Sequence, residues 1–133
     1  MTVVPEQKRL DFLPGKIGRY KVVFELLIYQ MADTLTEDYN GGFWEFCELD
    51  NGSFYCRPDD SRQKFRCVNM IGESAELSAD AVGLFVSVAA LSEIANAAYR
   101  NGQNNEKLVE DYYKLRDFIY QHTECKNLLR LMD

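Results

Sequence analysis

The segment "SADAVGLFVSVAALSEIANAAYR", Ser78 to Arg100, places the tightest constraint on the fold. It reads as one long helix, apolar around most of its circumference, and a helix without a polar face belongs at the centre of a fold. Ser78 is placed as its N-cap, with Asp80 in the first turn, where the helix dipole favours negative charge. Ala79, Gly83, Ser87 and Ala90 form a stripe of small residues along it, so a neighbouring helix or sheet can approach closely. Asp80, Glu93 and Asn96 interrupt the apolar run from Leu77 to Tyr99, which therefore falls short of the roughly 20 uninterrupted residues of a membrane span.

Around this helix the chain reads as α+β. Residues 1–133 are taken as a single domain, since 133 residues with 47% hydrophobic content suffice for one core and are short for two. The stretch "LDFLPGKIGRY" is punctuated by Pro14, Gly15 and Gly18. Tyr20, Phe24, Leu27, Met31 and Leu35 then recur at helical spacing, and this amphipathic helix ends before "YNGG". Three strands are expected at Phe43 to Leu49, Ser53 to Arg57 and Lys64 to Met70, as a small three-stranded antiparallel meander. Asn51-Gly52 suits a two-residue type I′ turn between the first two. A further helix runs from about Asn105 to Gln121, with Leu108, Tyr112, Leu115 and Ile119 on one face and a Glu110–Lys114 pair on the other. "ECKNLLRLMD" adds a last turn or two, making about four helices packed with the meander.

Charge narrows the possible partners. The formal net charge of -6 comes from 21 acidic and 15 basic residues, which disfavours strong direct binding to a phosphate backbone. Whole-surface imitation of DNA is also excluded, because a face about 30 Å long would have to copy roughly 18 phosphates. A local acidic run does exist: Asp33, Glu37, Asp38, Glu45, Glu48 and Asp50 follow one another with no Lys or Arg between them. No export signal is recognisable in "MTVVPEQKRLDF", so a cytoplasmic protein without membrane association is expected, with a monomer as the simpler oligomeric state.

The reactive side chains do not assemble into a familiar constellation. A two-residue turn would pair Asp50 with Ser53, Leu49 with Phe54, Glu48 with Tyr55 and Cys47 with Cys56, setting the two cysteines face to face. Phe43, Cys47, Leu49, Phe54 and Cys56 would then share one face of the sheet, and Trp44, Phe46, Glu48, Tyr55 and Arg57 the other. A disulfide would be geometrically possible, although thiols in the cytosol stay reduced and buried cysteine packs as a small hydrophobe. Cys47, Cys56, Cys67 and Cys125 contain no C-x-x-C knuckle, and His122 is the single histidine, so neither a metal nor any other cofactor is expected. Any nucleophile–base scheme would have to pass through His122, whose simpler place is a helix C-terminus. Glu45 and Glu48 lie three apart on a strand and point to opposite faces, which removes them as a carboxylate pair. A cysteine-based redox or metal-responsive regulator is the alternative to a binding protein; an enzyme is not expected.

"LTEDYNGGFWEFCELDNGSFYCRPD", followed by "ELSADAVGLFVSVAALSEIA" and "LVEDYYKLRDFIYQH", resembles the ArdB/KlcA family of antirestriction proteins. "EDYNGGFW" and "LSADAVG" at this separation are the specific elements. The resemblance implies a compact α+β fold and inhibition of type I restriction-modification enzymes on behalf of incoming plasmid or mobile-element DNA in a bacterial cell, by a mode other than whole-surface DNA mimicry. It carries over no catalytic residues. Asp38, Tyr39, Asn40, Trp44, Glu45, Glu48, Asp50 and Asp80 are the candidate partner-binding residues, because they set carboxylates, an aromatic residue and a polar turn within the matching motifs.

Overall fold

The computed structural model describes residues 1–37, 39, 41–59 and 64–132. Strand β1 (Thr2–Val3) is followed by helices α1 (Arg9–Ile17) and α2 (Lys21–Leu35), strands β2 (Trp44–Glu48), β3 (Phe54–Pro58), β4 (Phe65–Val68) and β5 (Ser74–Leu77), and helices α3 (Ala79–Arg100), α4 (Glu106–Tyr120) and α5 (Cys125–Met132). β1, β2 and β3 form a three-stranded antiparallel sheet, and β4 and β5 a separate two-stranded one.

Helix α3 is the centre that its sequence demands. Every residue from Ala81 to Val88 is buried, so two full turns are covered on all sides by β3, α2, α4, α5 and the second sheet. By length and composition α3 could cross a membrane, but 72% of its apolar window is buried inside this protein. Ser78 caps it as expected, its Oγ accepting from the Ala81 N–H at 3.1 Å. The small-residue stripe has a definite neighbour. β3 crosses α3 at Gly83 and Ser87, and the Ser87 hydroxyl accepts the Cys56 N–H (2.9 Å) while donating to the Cys56 carbonyl (3.2 Å). One side chain thus satisfies both backbone groups that the outer edge of β3 presents at this residue.

The expected third strand is the first correction. Residues 64–70 do not extend the β2–β3 hairpin; β1 supplies the third strand of that sheet, and β4 pairs with β5 instead. Two contacts account for this. Ser87 occupies the free edge of β3, and Asn69 closes a tight turn after β4, its Oδ1 accepting from the Ile71 and Glu73 N–H groups. The other edge of β4 meets Thr36 and Glu37, through a bridge to Cys67 and a bond from the Glu37 N–H to the Arg66 carbonyl.

The hairpin register is the second correction. Cys47 lies opposite Tyr55, and Cys56 opposite Phe46. The loop has three residues, closed by Leu49 N–H donating to Ser53 O (2.9 Å) and Gly52 N–H donating to Leu49 O (3.0 Å). Only Gly52 in this loop has positive φ, at 93°, which is a type I turn followed by a glycine bulge rather than the type I′ turn that needs two positive angles. Asn51 keeps negative φ because its side chain is held on both sides: Oδ1 accepts from the Ser53 N–H, and Nδ2 donates to the Lys114 carbonyl of α4. A slip of one residue exchanges the faces of one strand. Trp44, Phe46, Phe54 and Cys56 therefore face α1 and α2, where Phe12 meets Phe46 and Phe54, Phe24 meets Phe54, and Tyr29 meets Trp44. Glu45, Cys47, Tyr55 and Arg57 face α3 and α4. Cys47 and Cys56 are buried free thiols on opposite faces.

The N-terminal stretch also differs from its reading as a punctuated segment. α1 passes through Pro14 and ends at Gly18, whose φ of 55° suits glycine. Leu13 and Ile17, one turn apart, are both buried, and that burial holds the helix in spite of the proline. In α2 the buried stripe is Phe24, Ile28, Ala32 and Leu35, with Tyr20, Leu27 and Met31 only partly buried beside it.

Candidate functional site

Where β2, β3, the start of α3 and the α4–α5 turn meet, polar side chains converge on Asp80. Its Oδ1 accepts from the Tyr55 hydroxyl (2.6 Å) and the Arg57 guanidinium (2.7 Å), and its Oδ2 from His122 Nε2 (2.8 Å). Arg57 also donates from Nε to Glu45 Oε1 at 2.6 Å, so one cation bridges two carboxylates. His122 Nδ1 accepts the Glu124 backbone N–H at 3.0 Å. That bond fixes the tautomer: the ring proton sits on Nε2 and is donated to Asp80. Glu124 completes the array, accepting from both the backbone N–H and the hydroxyl of Ser78, with the Lys64 ammonium 3.7 Å away.

Gly83 explains how Arg57 reaches Asp80. A Cβ at position 83 would stand 2.3 Å from the Cys56 carbonyl oxygen and 2.5 Å from Arg57 Cβ, so only glycine lets β3 lie against the first turns of α3. Tyr55 is fully buried and Asp80 is 30% exposed in its side chain. Burial pushes the Asp80 carboxyl upward, but hydrogen bonds from Tyr55, Arg57 and His122 outweigh it and hold the group below the ordinary carboxylate range. Burial opposes the Arg57 charge, and the bonds to Asp80 and Glu45 more than compensate, leaving its pKa raised. Burial first, and then the bond to Asp80, push the Tyr55 phenol up.

Chemically this is an interlocked anchor. Both His122 nitrogens are engaged, and Asp80 already accepts three hydrogen bonds, so a proton transfer through His122 would first have to break one of its two contacts. Burial pushes the Cys47 thiol up to about 11 and the Cys56 thiol well above its ordinary value, so neither is a ready thiolate. Among the described residues no group of three or more His, Cys, Asp or Glu side chains is placed to hold a metal ion.

Of the sequence candidates, Glu45 and Asp80 are brought together through Arg57. Glu48 points to the other face and pairs with Lys16 at 2.7 Å, and Asp50 lies at the hairpin tip, 3.9 Å from the N-terminal ammonium. Trp44 is 7% exposed and donates its indole N–H to the Tyr39 hydroxyl at 2.9 Å. Asp38 and Asn40 lie outside the described residues. The acidic run is therefore not one surface: Glu37 pairs with Arg66, Glu45 with Arg57 and Glu48 with Lys16. Sequence reasoning weighed His122 only as a possible base and set Tyr55 and Arg57 on a sheet face, without joining any of the three to Asp80. The signal available was a cation and a phenol on a strand bound for burial, each of which needs a polar partner inside the fold.

Comparison with known proteins agrees with this architecture. The sequence model of the Antirestriction protein family matches residues 37–133, and the chain belongs to that family. Antirestriction protein KlcA of Escherichia coli is 35% identical, the match covering 99% of this chain and 93% of KlcA. Uncharacterized protein YafX of Escherichia coli (strain K12) is 32% identical over 100% of this chain and 87% of its own length. A solved structure superposes with a TM-score of 0.86 at 35% identity, covering 99% of this chain and 93% of that one. It comes from work in which the KlcA and ArdB proteins show a novel fold and antirestriction activity against type I DNA restriction systems in vivo but not in vitro.

Proposed function

We propose that this protein protects incoming plasmid or mobile-element DNA in the cytoplasm of a bacterial host by counteracting a type I DNA restriction system, acting by binding and without turning over a substrate. The observation that carries this reading is the likeness along 99% of the chain, at a TM-score of 0.86, to a structure whose proteins act against type I systems in vivo. Two features of this molecule support the mode. Three carboxylates of its acidic run, Glu37, Glu45 and Glu48, are each paired with a cation of the same chain, which speaks against DNA mimicry as the means. The polar cluster around Asp80 is closed on itself, which favours a rigid recognition surface over acid–base chemistry. The candidate contact is the exposed tip of the β2–β3 hairpin, from Glu48 and Asp50 round to the rim of the Glu45–Arg57–Asp80 network.

For those relatives the activity seen in cells is not seen in vitro. We therefore take the restriction complex to be engaged directly or through another component of the living cell, and the decisive assay is done in cells. Unmodified phage is plated on a type I restricting strain with and without this gene, using modified phage as the control. Plating of the unmodified phage rises when the gene is present and plating of the modified phage stays constant. No rise, or an equal rise for both, would overturn the proposal.

A further inference from the structure

The face of α2 that points away from the core is itself apolar. Val22 is 62% and Leu26 56% exposed, and Val23 and Tyr29 are close to half exposed. Large apolar side chains following one another along two turns of a surface helix mark a contact face rather than a solvated one. The ridge is also polar in charge. Leu26 stands at its middle, Asp33 seven residues after it, about 10 Å along the axis, and Arg19 seven before it, in the short 3-10 turn Gly18–Tyr20 that leads into α2. Arg19 is exposed, its guanidinium 5.3 Å from the Tyr20 ring. Asp33 sits in the last turn of α2, which contains no basic residue, at the end where the helix dipole disfavours a carboxylate. It forms no ion pair among the described residues.

We propose that a second copy of this chain packs on this face, α2 against α2, antiparallel across a twofold axis at Leu26. The order of residues selects both the occupant and the direction. In the antiparallel arrangement Leu26 meets its own copy, Val22 and Val23 meet the Tyr29 turn, and Arg19 of each copy meets Asp33 of the other. A parallel arrangement would set Arg19 against Arg19 and Asp33 against Asp33. The contact is isologous and closes at two copies. Two turns of helix per copy bury less than the total of about 1,200 Å² at which specific interfaces begin, so the contact is weak and the dimer dissociates readily on dilution.

Sedimentation equilibrium of the purified chain between about 5 and 500 µM covers the affinity range such an interface calls for. The expected result is a concentration-dependent monomer–dimer equilibrium. Leu26→Glu raises the dissociation constant by about tenfold or more, and Val22→Lys provides the same test if Leu26→Glu fails to fold by circular dichroism. Arg19→Asp and Asp33→Arg each weaken the dimer, and the double variant recovers it, because each reversed charge again meets its opposite. A wild type that stays monomeric throughout overturns the proposal. So does a dimer indifferent to these substitutions, or one that the double variant fails to recover.

Discussion

Gly83 of α3 and Arg57 of β3 touch with no side chain between them on the helix side: a Cβ at 83 would lie 2.5 Å from Arg57 Cβ and 2.7 Å from its Cα. Because the obstruction is strand backbone, relief requires moving β3 away from α3, and the Arg57–Asp80 bond of 2.7 Å goes with it. Gly83→Ala is expected to cost about 3 kcal/mol. That corresponds to a fall in melting temperature of roughly 10 °C for a chain of this length, which thermal unfolding followed by circular dichroism will read. An unchanged melting temperature would mean that the strand does not rest on the helix here.

Asp80 and Asp111 predict opposite dependences on pH. The folded-state pKa of Asp80 is lowered, so its contribution is fully present above the unfolded value of about 3.9 and is lost as pH falls through the folded one. Asp111 is buried; burial raises its pKa, and the Lys107 ammonium at 2.6 Å only partly offsets this. Its charged form therefore costs stability, which is lost as pH rises from about 3.9 through the raised value. Relative to wild type, Asp80→Asn loses stability at pH 7 and recovers ground on acidification, while Asp111→Asn gains at pH 7 and gives up that gain in acid. Urea titrations at pH 3, 5 and 7 measure both, and slopes of the same sign would contradict the assignment.

The cysteines differ in accessibility. Cys47 and Cys56 are buried, and Cys125 is only partly so. Iodoacetamide at pH 8 labels Cys125 first in the native protein, with Cys47 and Cys56 labelled only after denaturation. Mild oxidant yields no peptide linking Cys47 to Cys56, because the register sets them on opposite faces of the sheet. Recovery of that linked peptide by mass spectrometry from folded protein would be incompatible with this register.

Glu48 and Asp50 separate recognition from stability. Both are exposed, and exposed ion pairs contribute about 0–1 kcal/mol, so Glu48→Lys with Asp50→Lys changes stability little. If the hairpin tip makes the proposed contact, the double variant loses protection in the plating assay while remaining folded. Protection at the wild-type level would remove this tip from the site.

Much of the fold was legible in local pattern. The apolar circumference of α3, its Ser78 cap, the Glu110–Lys114 pair of α4 and the position of the β2–β3 turn all follow from residues within a few positions of one another. The site was half legible. Glu45 and Asp80 stood out as carboxylates beside the matching motifs, whereas Tyr55, Arg57 and His122 acquire their role only from contacts 23 to 42 residues away in sequence.

What the amino-acid order determined by itself was which helix must be central, since an apolar surface that large has no stable place in water. What only the tertiary structure decided was which strand edge each partner takes, and the one-residue register on which the cysteines and Arg57 depend. Asn51-Gly52 is compatible with either a two- or a three-residue loop; the contacts of Asn51 with α4 and of Ser87 with β3 select between them, and those partners are distant in the chain. A period-two element turns such a small choice into an exchange of faces, which is why the network around Asp80 emerges only once β3 is seated on Gly83.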